Sequence, residues 1–549
     1  MMIRNLEALT ARRHDVVIIG GGITGSCVAR DAAMRGLSVA LVEARDFSHA
    51  TSSATTKLVH GGLRYLRTLD FALVRESLAE RRHWQIIAPH MVTPVPFLLP
   101  VHGTDRVTLD LGLTLYDILS FDRNRLPEGR PHMAGHRRLA RAEMLETEPV
   151  LDGLGVRGAL LYYDCQMYAP ERLGLECLID ATAHGALVAN YAEAEACTTE
   201  GQVHALTVRD ALGGGTQIIR GRTIVNAAGP WADGVTARLL GHPNGPALTR
   251  SKGIHIITRA LTRNHALALI TGNSHLFVIP WRGFSLIGTT DTPFDGDPAH
   301  VALEPGEIDA LLATANRALP RARLTRGDVV HAYAGLRPLI SDSRAHSTYG
   351  ASRRSAIVDH GALGGPRGLY SALGGKWTTA RHVAAEMVDR LLVALGEPHR
   401  PATTAATLLP GARFEAASAL DATLAGQAPS IPPASRELLV HHYGALAPEV
   451  AACVTEVPAL AAQLAPDRAE IAAQVAYAVD AEMAQTLEDV VFRRTGLGTA
   501  GLHDPEALDR AAAVMAPRLG WGAAEIARQI AITEARFPVR WSRPESPAR

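Results

Sequence analysis

The stretch HDVVIIGGGITGSCVARDAAMRGLSVALVE, residues 14–43, decides the fold. Four β-prone residues, Val16 to Ile19, run into Gly20-x-Gly22-x-x-Gly25, and small residues (Ser26, Cys27, Ala29, Ala32, Ala33) follow until Gly36 offers a helix stop. Gly20 permits a tight turn, Gly22 lets backbone approach a pyrophosphate, and Gly25 lets the helix lie close on a sheet. The helix start, with Ile23 and Thr24 between the glycines, presents N–H groups and a positive dipole end to phosphates. A second apolar strand, Val39 to Val42, closes on Glu43, whose carboxylate stands where a ribose hydroxyl needs an acceptor. Strand, glycines, helix, strand and acid in register predict the first βαβ unit of a Rossmann-like dinucleotide-binding domain. Glu43 disfavours a 2′-phosphate and hence NADP; FAD, the first hypothesis, and NAD remain.

Composition sets the limits around this unit. At 549 residues the chain has room for two to four domains. With 55 basic and 55 acidic residues it carries no net field to draw nucleic acid, which is not expected as a partner. Its five cysteines (27, 165, 177, 197, 453) show no CxxC pair and no metal-ligand spacing, and MMIRNLEALTARRH lacks the apolar core of a signal peptide. A cytoplasmic location and no metal are expected. No apolar run reaches membrane-spanning length, so any bilayer contact is expected to be peripheral. Only three lysines occur, Lys57, Lys252 and Lys376, against a background of arginine, which points to places needing a compact ammonium.

Downstream, ATSSATTKLVHGGLRYL (50–66) is too rich in Ser and Thr to be core, and its Lys57, His60, Arg64 and Tyr65 predict the lining of a polar cavity. A helix of pattern FALVRESLAERRHWQIIAPH follows. VTLDLGLTLYDIL (107–119), flanked by Arg106, Arg123 and Arg125, reads as a core helix or strand pair, with a bilayer-surface segment as the alternative. Two strands joined at Gly213-Gly214-Gly215 lead to a third, TIVNAAGPW (223–231). SKGIHIIT, HLFVIPW and FSLIGTTD suggest a second, antiparallel sheet, a substrate domain. GLYSALGGKWTTARHV gives a strand, Gly374-Gly375-Lys376, and a helix opening at Thr378 or Thr379. From about residue 401 helical periodicity takes over, with Ile471, Val475, Val479, Met483, Leu487 and Val491 on one i, i+4 stripe. Residues 541–549 read as disordered.

The expected architecture is α/β: a Rossmann-like FAD-binding domain in three segments (1–90, 146–235, 346–400), a cap segment (91–145), an antiparallel-sheet substrate domain (236–345) and a helical C-terminal domain (401–549).

The ordered set IGGGITG, TSSATTKLVHGGLRYL, NAAGPW, SKGIHIIT, FVIPW with IGTTD, AGLRPL, GGKWTT and YAVDAEMAQTLEDVVFRRTGLG resembles the FAD-dependent glycerol-3-phosphate dehydrogenases, within the D-amino-acid-oxidase-like flavoproteins. The resemblance runs from about Asp15 to Arg381 and resumes in the helical tail. It departs at Tyr168, Ala169, Pro170 and Glu171, where the family tends to carry an acidic pair before Ala-Arg, while the Arg172 position matches. If that strand borders the substrate, the identity of the polyol phosphate depends on it.

The resemblance implies FAD as cofactor, oxidation of sn-glycerol 3-phosphate to dihydroxyacetone phosphate by hydride transfer to flavin N5, and electrons passed to a ubiquinone-type acceptor. It further implies attachment to the inner face of the cytoplasmic membrane and a homodimer. His255, an imidazole titrating near neutrality, becomes the base. Arg64 and Arg337 become a phosphate clamp, since a guanidinium fork matches phosphate oxygens. Tyr65 donates to substrate, and Lys376 with the following helix start faces the flavin pyrimidine edge. Thr56 and Lys57 serve the flavin from its other side, and Lys252 positions the substrate strand. Further FAD contacts are expected at Ser52, Ser53, His60, Gly61, Gly62, Ala228, Gly229, Trp231, Gly374, Gly375, Trp377 and Thr378. Alternatives are a dehydrogenase of another polyol phosphate such as erythritol 4-phosphate, an amine or amino-acid oxidase of the same fold, and a non-catalytic flavoprotein.

Overall fold

The computed structural model describes residues 1–101, 105–271, 274–340, 354–502 and 504–537. The expected disordered tail 541–549 and the expected segment boundary at 345/346 lie outside the described residues.

Two sheets organise the chain. In the first, Arg13–Ile19 is flanked in parallel by Val39–Val42 and Thr216–Asn226, with Leu187–Ala189 and Leu369–Gly374 parallel beyond them. Such strands are buried on both faces, which is why Val16 to Val42 reads as apolar runs and not as an alternation. Helices Ile23–Met34, Pro170–Ala183 and Ala380–Leu395 cover one face, and their small residues, including Ala29, Ala32, Ala181 and Ala384, let them approach closely. Thr216–Asn226 is one continuous strand, where the sequence predicts a break before Thr223. The strand changes partner instead of stopping: residues 216–221 pair antiparallel with Val203–Asp210, and residues 220–226 pair with Arg13–Ile19.

The second sheet has the antiparallel character expected of SKGIHIIT, HLFVIPW and FSLIGTTD. Leu248–Arg259 lies between Val329–Ile340 and Phe284–Gly288, which leads through Ser274–Trp281 to Ala266–Thr271. Ala266–Thr271 pairs in parallel with Val92–Val101, itself antiparallel to Gly158–Met167. Residues 107–119 fall in a single helix, Asp105–Leu119, and not in a strand pair. Leu113 and Tyr116 enter the core, whereas Val107, Leu111 and Ile118 are exposed.

Helices from Ala417–Gln427 to Ala523–Glu534 enclose a core of their own, with Leu424, Leu439, Val450, Val475 and Leu508 buried in it. The i, i+4 stripe is not one helix. Ala472–Glu482 ends at Met483, whose φ of 56° is left-handed, and the chain resumes as a π-helical turn at Asp489–Arg494. Among the described residues no helix is long and apolar enough to cross a membrane.

Candidate active site

A cavity of about 1210 Å³ opens where the carboxyl ends of the parallel strands meet the face of the second sheet. At one end lie Gly20, Gly22, Ile23, Thr24 and Glu43; Ala228, Gly229, Trp231, Gly374, Gly375, Trp377 and Thr378 continue the wall. Backbone needs the missing side chains here. Gly20 has φ +106°, and a Cβ on it would stand 2.7 Å from the Ala227 carbonyl oxygen. Gly25 does not line the cavity; a Cβ there would be 1.9 Å from the Gly20 carbonyl oxygen, so its hydrogen lets the helix seat beneath the turn. Glu43 accepts from Gly21 N at 2.7 Å and from Arg45 N at 2.9 Å, and burial raises its pKa.

The 50–66 stretch lines the cavity as a polar wall through Ser52, Thr56, His60, Gly62, Arg64 and Tyr65 among others. Ser52 Oγ accepts from Ile23 N at 2.9 Å, joining this wall to the first helical turn. Three residues expected to touch the cofactor lie behind it. Ser53 donates through Oγ to Ala50 O at 3.0 Å; Gly61 packs under Leu78 and the Tyr116 hydroxyl and donates to Asp164 Oδ1 at 3.2 Å. Lys57 is buried, donates to Ser53 O at 2.9 Å, and lies 3.4 Å from Glu171 Oε2. Its ammonium holds the loop from beneath, with Trp281 and Tyr333 rings about it.

The other end of the cavity is built from side chains. His255 and Arg337 stand on neighbouring antiparallel strands, with Ser251 opposite Arg337 and Tyr333 opposite His255. Arg337 donates to Thr289 Oγ1 at 2.7 Å and to Thr290 O at 3.1 Å. Its guanidinium crosses Gly253, where a Cβ would sit 2.2 Å from Nη2. His255 Nε2 shares a 3.0 Å hydrogen bond with Thr56 Oγ1, Tyr333 stacks on the ring at 5.0 Å, and Nδ1 is buried with no partner in the protein. Burial, then the charges of Arg337 and Lys57, hold the imidazole well below its ordinary pKa, so it is neutral at pH 7. Arg64 lies over the Tyr65 ring and donates to its hydroxyl at 3.1 Å. Lys376, its pKa lowered by burial, donates to Ser77 Oγ and lies 4.7 Å from the Tyr65 ring centre.

Sequence reading overlooked several residues here. Thr289, Thr290 and Ser251, which hold Arg337, lie in quoted motifs, and Gly253 beside Ser251 was a visible signal of close approach. Tyr333 carries no local signal, since only strand pairing brings it to His255. Lys252 pairs with Glu307 at 2.7 Å, tying its strand to the start of helix Pro305–Ala318, outside the cavity. The departing residues 168–171 are not in the cavity wall either. Tyr168 packs on His441 at 4.1 Å, Glu171 meets Lys57, and Arg172 is ion-paired with Glu482, so the departure bears on how the helical region docks.

The donor set fits FAD: a turn that a Cβ would fill, an acid at the ribose position, and Trp377 Nε1, a buried donor in the wall without a partner in the protein. Comparison with known proteins agrees. Residues 15–390 match the family model of the FAD dependent oxidoreductases, and residues 402–526 match the C-terminal domain of alpha-glycerophosphate oxidase. A glycerol-3-phosphate dehydrogenase of Synechocystis is 36% identical over 515 residues, covering 90% of this chain and 91% of that protein. A D-erythritol 1-phosphate dehydrogenase of Brucella abortus is 35% identical over 490 residues, covering 88% and 94%. The structure of a Bacillus halodurans glycerol-3-phosphate dehydrogenase complexed with FAD superposes with a TM-score of 0.77 at 28% identity, covering 96% of this chain and 95% of that one. The chain is an FAD-dependent oxidoreductase and belongs to the glycerol-3-phosphate dehydrogenase family.

Proposed function

We propose that the enzyme oxidises sn-glycerol 3-phosphate to dihydroxyacetone phosphate. The observation that carries this is the pairing, in one cavity with the nucleotide cradle, of a guanidinium fork at Arg337 with a neutral imidazole at His255. Bound FAD supplies a hydride acceptor at its N5. Arg337, with Arg64 and the Tyr65 hydroxyl, holds the phosphate; the fork is pre-aimed by Thr289 and Thr290, so little rotamer freedom is lost on binding. The His255–Thr56 pair takes the proton of the secondary hydroxyl, and the imidazole is its final holder. Burial is the main cause of the depressed His255 pKa and persists in the complex, but a phosphate dianion on Arg337 offsets the next cause, the Arg337 charge, and so shifts the base upward. Lys376 balances the charge that builds up on the cofactor side.

A second reading, a dehydrogenase of a longer polyol phosphate, is favoured by the likeness to the erythritol-phosphate enzyme. Anaerobic bleaching of the flavin absorbance by sn-glycerol 3-phosphate, and not by erythritol phosphates, glycerol or amino acids, is the expected result. Bleaching by a tetritol phosphate alone selects the second reading.

The acceptor is a membrane quinone on this proposal. Helix Asp105–Leu119 supports it: Thr108, Leu109 and Gly112 line the cavity, while Val107, Leu111 and Ile118 on its other side, and Phe121 beyond it, are exposed apolar residues. Arg125 lies 5.5 Å from the Phe121 ring centre, a cation beside the apolar face that suits an anionic headgroup, while Arg75, 4.6 Å from the same ring, is ion-paired with Asp122. Co-sedimentation with anionic vesicles, lost in a Leu111→Asp/Ile118→Asp variant that still bleaches with substrate, tests it.

A further inference from the structure

The loop from Glu43 to His49 has two sides. Glu43, Arg45, Ser48 and His49 line the cavity at the nucleotide end. Asp46, on the opposite side, is fully buried and faces the helical C-terminal region. There its Oδ2 accepts from Arg493 Nε at 2.6 Å and Arg494 Nη1 at 2.9 Å, and its Oδ1 accepts from Arg494 Nη2 at 2.8 Å and Asn190 Nδ2 at 3.1 Å.

Both arginines are themselves fixed. Arg494 donates to the Glu482 carbonyl at 3.0 Å, and Arg493 donates to Asp489 Oδ1 at 2.6 Å, which also accepts from the Tyr191 hydroxyl at 2.7 Å. The π-helical turn Asp489–Arg494 places the two consecutive arginines so that both reach one carboxylate. Burial alone would raise the Asp46 pKa, but Arg494 and Arg493 hold it well below the usual carboxylate range.

Asp46 in turn sets the loop. Its carbonyl accepts from His49 N at 3.3 Å and stands 3.2 Å from His49 Nδ1; Ser48, held at φ 59°, donates from its N to Gly21 O at 3.0 Å. A loop with a left-handed serine keeps that shape only where its surroundings over-determine it. Here the surroundings are a bidentate arginine clamp from a part of the chain more than four hundred positions away.

We propose that Arg493 and Arg494 are positioning residues for FAD, acting through Asp46 on the loop that carries Glu43, so that the helical C-terminal region retains the adenosine half of the cofactor. This rests on the cofactor alone and not on which alcohol is oxidised.

The test uses the full-length holoenzyme and reads FAD release on dilution as recovery of free-flavin fluorescence, together with Tm with and without added FAD. Arg494→Gln is expected to release FAD at least about tenfold faster and to shrink the rise in Tm that FAD produces. The visible spectrum and midpoint potential of the flavin that stays bound should be unchanged, because the clamp acts at the adenosine end. Leu424→Ala, which loosens the helical region from within its own core, is the control, expected to lower Tm without speeding release. Equal release rates in Arg494→Gln and wild type, or equally fast release in Leu424→Ala, overturn the proposal. If Arg494→Gln does not fold, Tyr191→Phe, which removes only the hydroxyl on Asp489, decides: about twofold to threefold faster release supports the clamp, and an unchanged rate refutes it.

Discussion

The two ends of the cavity are made differently. At the nucleotide end the wall depends on backbone and on missing side chains: Gly20, Gly22 and Glu43 line it, Gly25 seats the helix beneath the turn, and all four lie within thirty residues of one another. At the substrate end, Arg64, His255, Arg337 and Lys376 come from four separate places; His255, Arg337 and Lys376 are each held by a side chain distant in the sequence, and Arg64 by the adjacent Tyr65. The first end is vulnerable to adding a methyl group, the second to removing a functional one.

That contrast can be broken or sharpened in steps. The largest effect is expected at the substrate end: Arg337→Ala and His255→Ala should each lower kcat/KM for the phosphorylated substrate by about 10³-fold while the protein remains yellow. Steady-state rates beside the flavin-to-protein absorbance ratio check this, and loss of flavin in either variant would erase the distinction between the ends. Next comes Gly25→Ala, whose Cβ meets the Gly20 carbonyl: FAD affinity should weaken by roughly thirtyfold to a hundredfold, read by titrating apoprotein. Gly253→Ala is smaller and crosses the divide, since it adds a methyl at the substrate end. Displacing the Arg337 fork should raise KM about tenfold with kcat and flavin content nearly unchanged; an effect on kcat alone would mean that Arg337 acts elsewhere than on the ground-state phosphate.

The remaining effect is in stability. Burial, helped by neighbouring cations, lowers the pKa of His49 and His60 to about 3 and of His275 to about 4, all in the cavity wall. Their folded values lie below the ordinary 6.5, so the unfolded chain binds more protons as pH falls. Above pH 6.5 all three are neutral both folded and unfolded; below it stability falls with pH, down to about pH 4 for His275 and about pH 3 for His49 and His60, by roughly 1.4 kcal/mol per pH unit for each. Thermal melts of the holoenzyme between pH 7.5 and 5 should show Tm falling by several degrees, and His275→Gln should flatten that slope.

How much of this was legible follows the same divide. The glycine turn, the two strands and Glu43 are a local pattern whose geometry is fixed by residues next to each other, and the sequence shows it. The polar wall at 50–66 announced itself because Ser and Thr in such numbers have no place in a core. The pairing of Tyr333 with His255 depends on the register between Leu248–Arg259 and Val329–Ile340, which no window of sequence contains. Lys57 shows the opposite failure: a rare lysine within a functional motif reads as a ligand, yet it neutralises Glu171 behind the wall. The helical stripe through Met483 misled because spacing alone cannot register one residue turned left-handed.

The partner change along Thr216–Asn226 also bears on how the enzyme is born. The strand that aims the glycine turn, Arg13–Ile19, gains one neighbour, Val39–Val42, almost at once, but its other neighbour leaves the ribosome only after residue 226. Leu369–Gly374, whose end supplies Gly374 to the wall, emerges later still. A nascent chain thus carries the most recognisable cofactor motif in the protein well before the strands that complete the wall around it have been made.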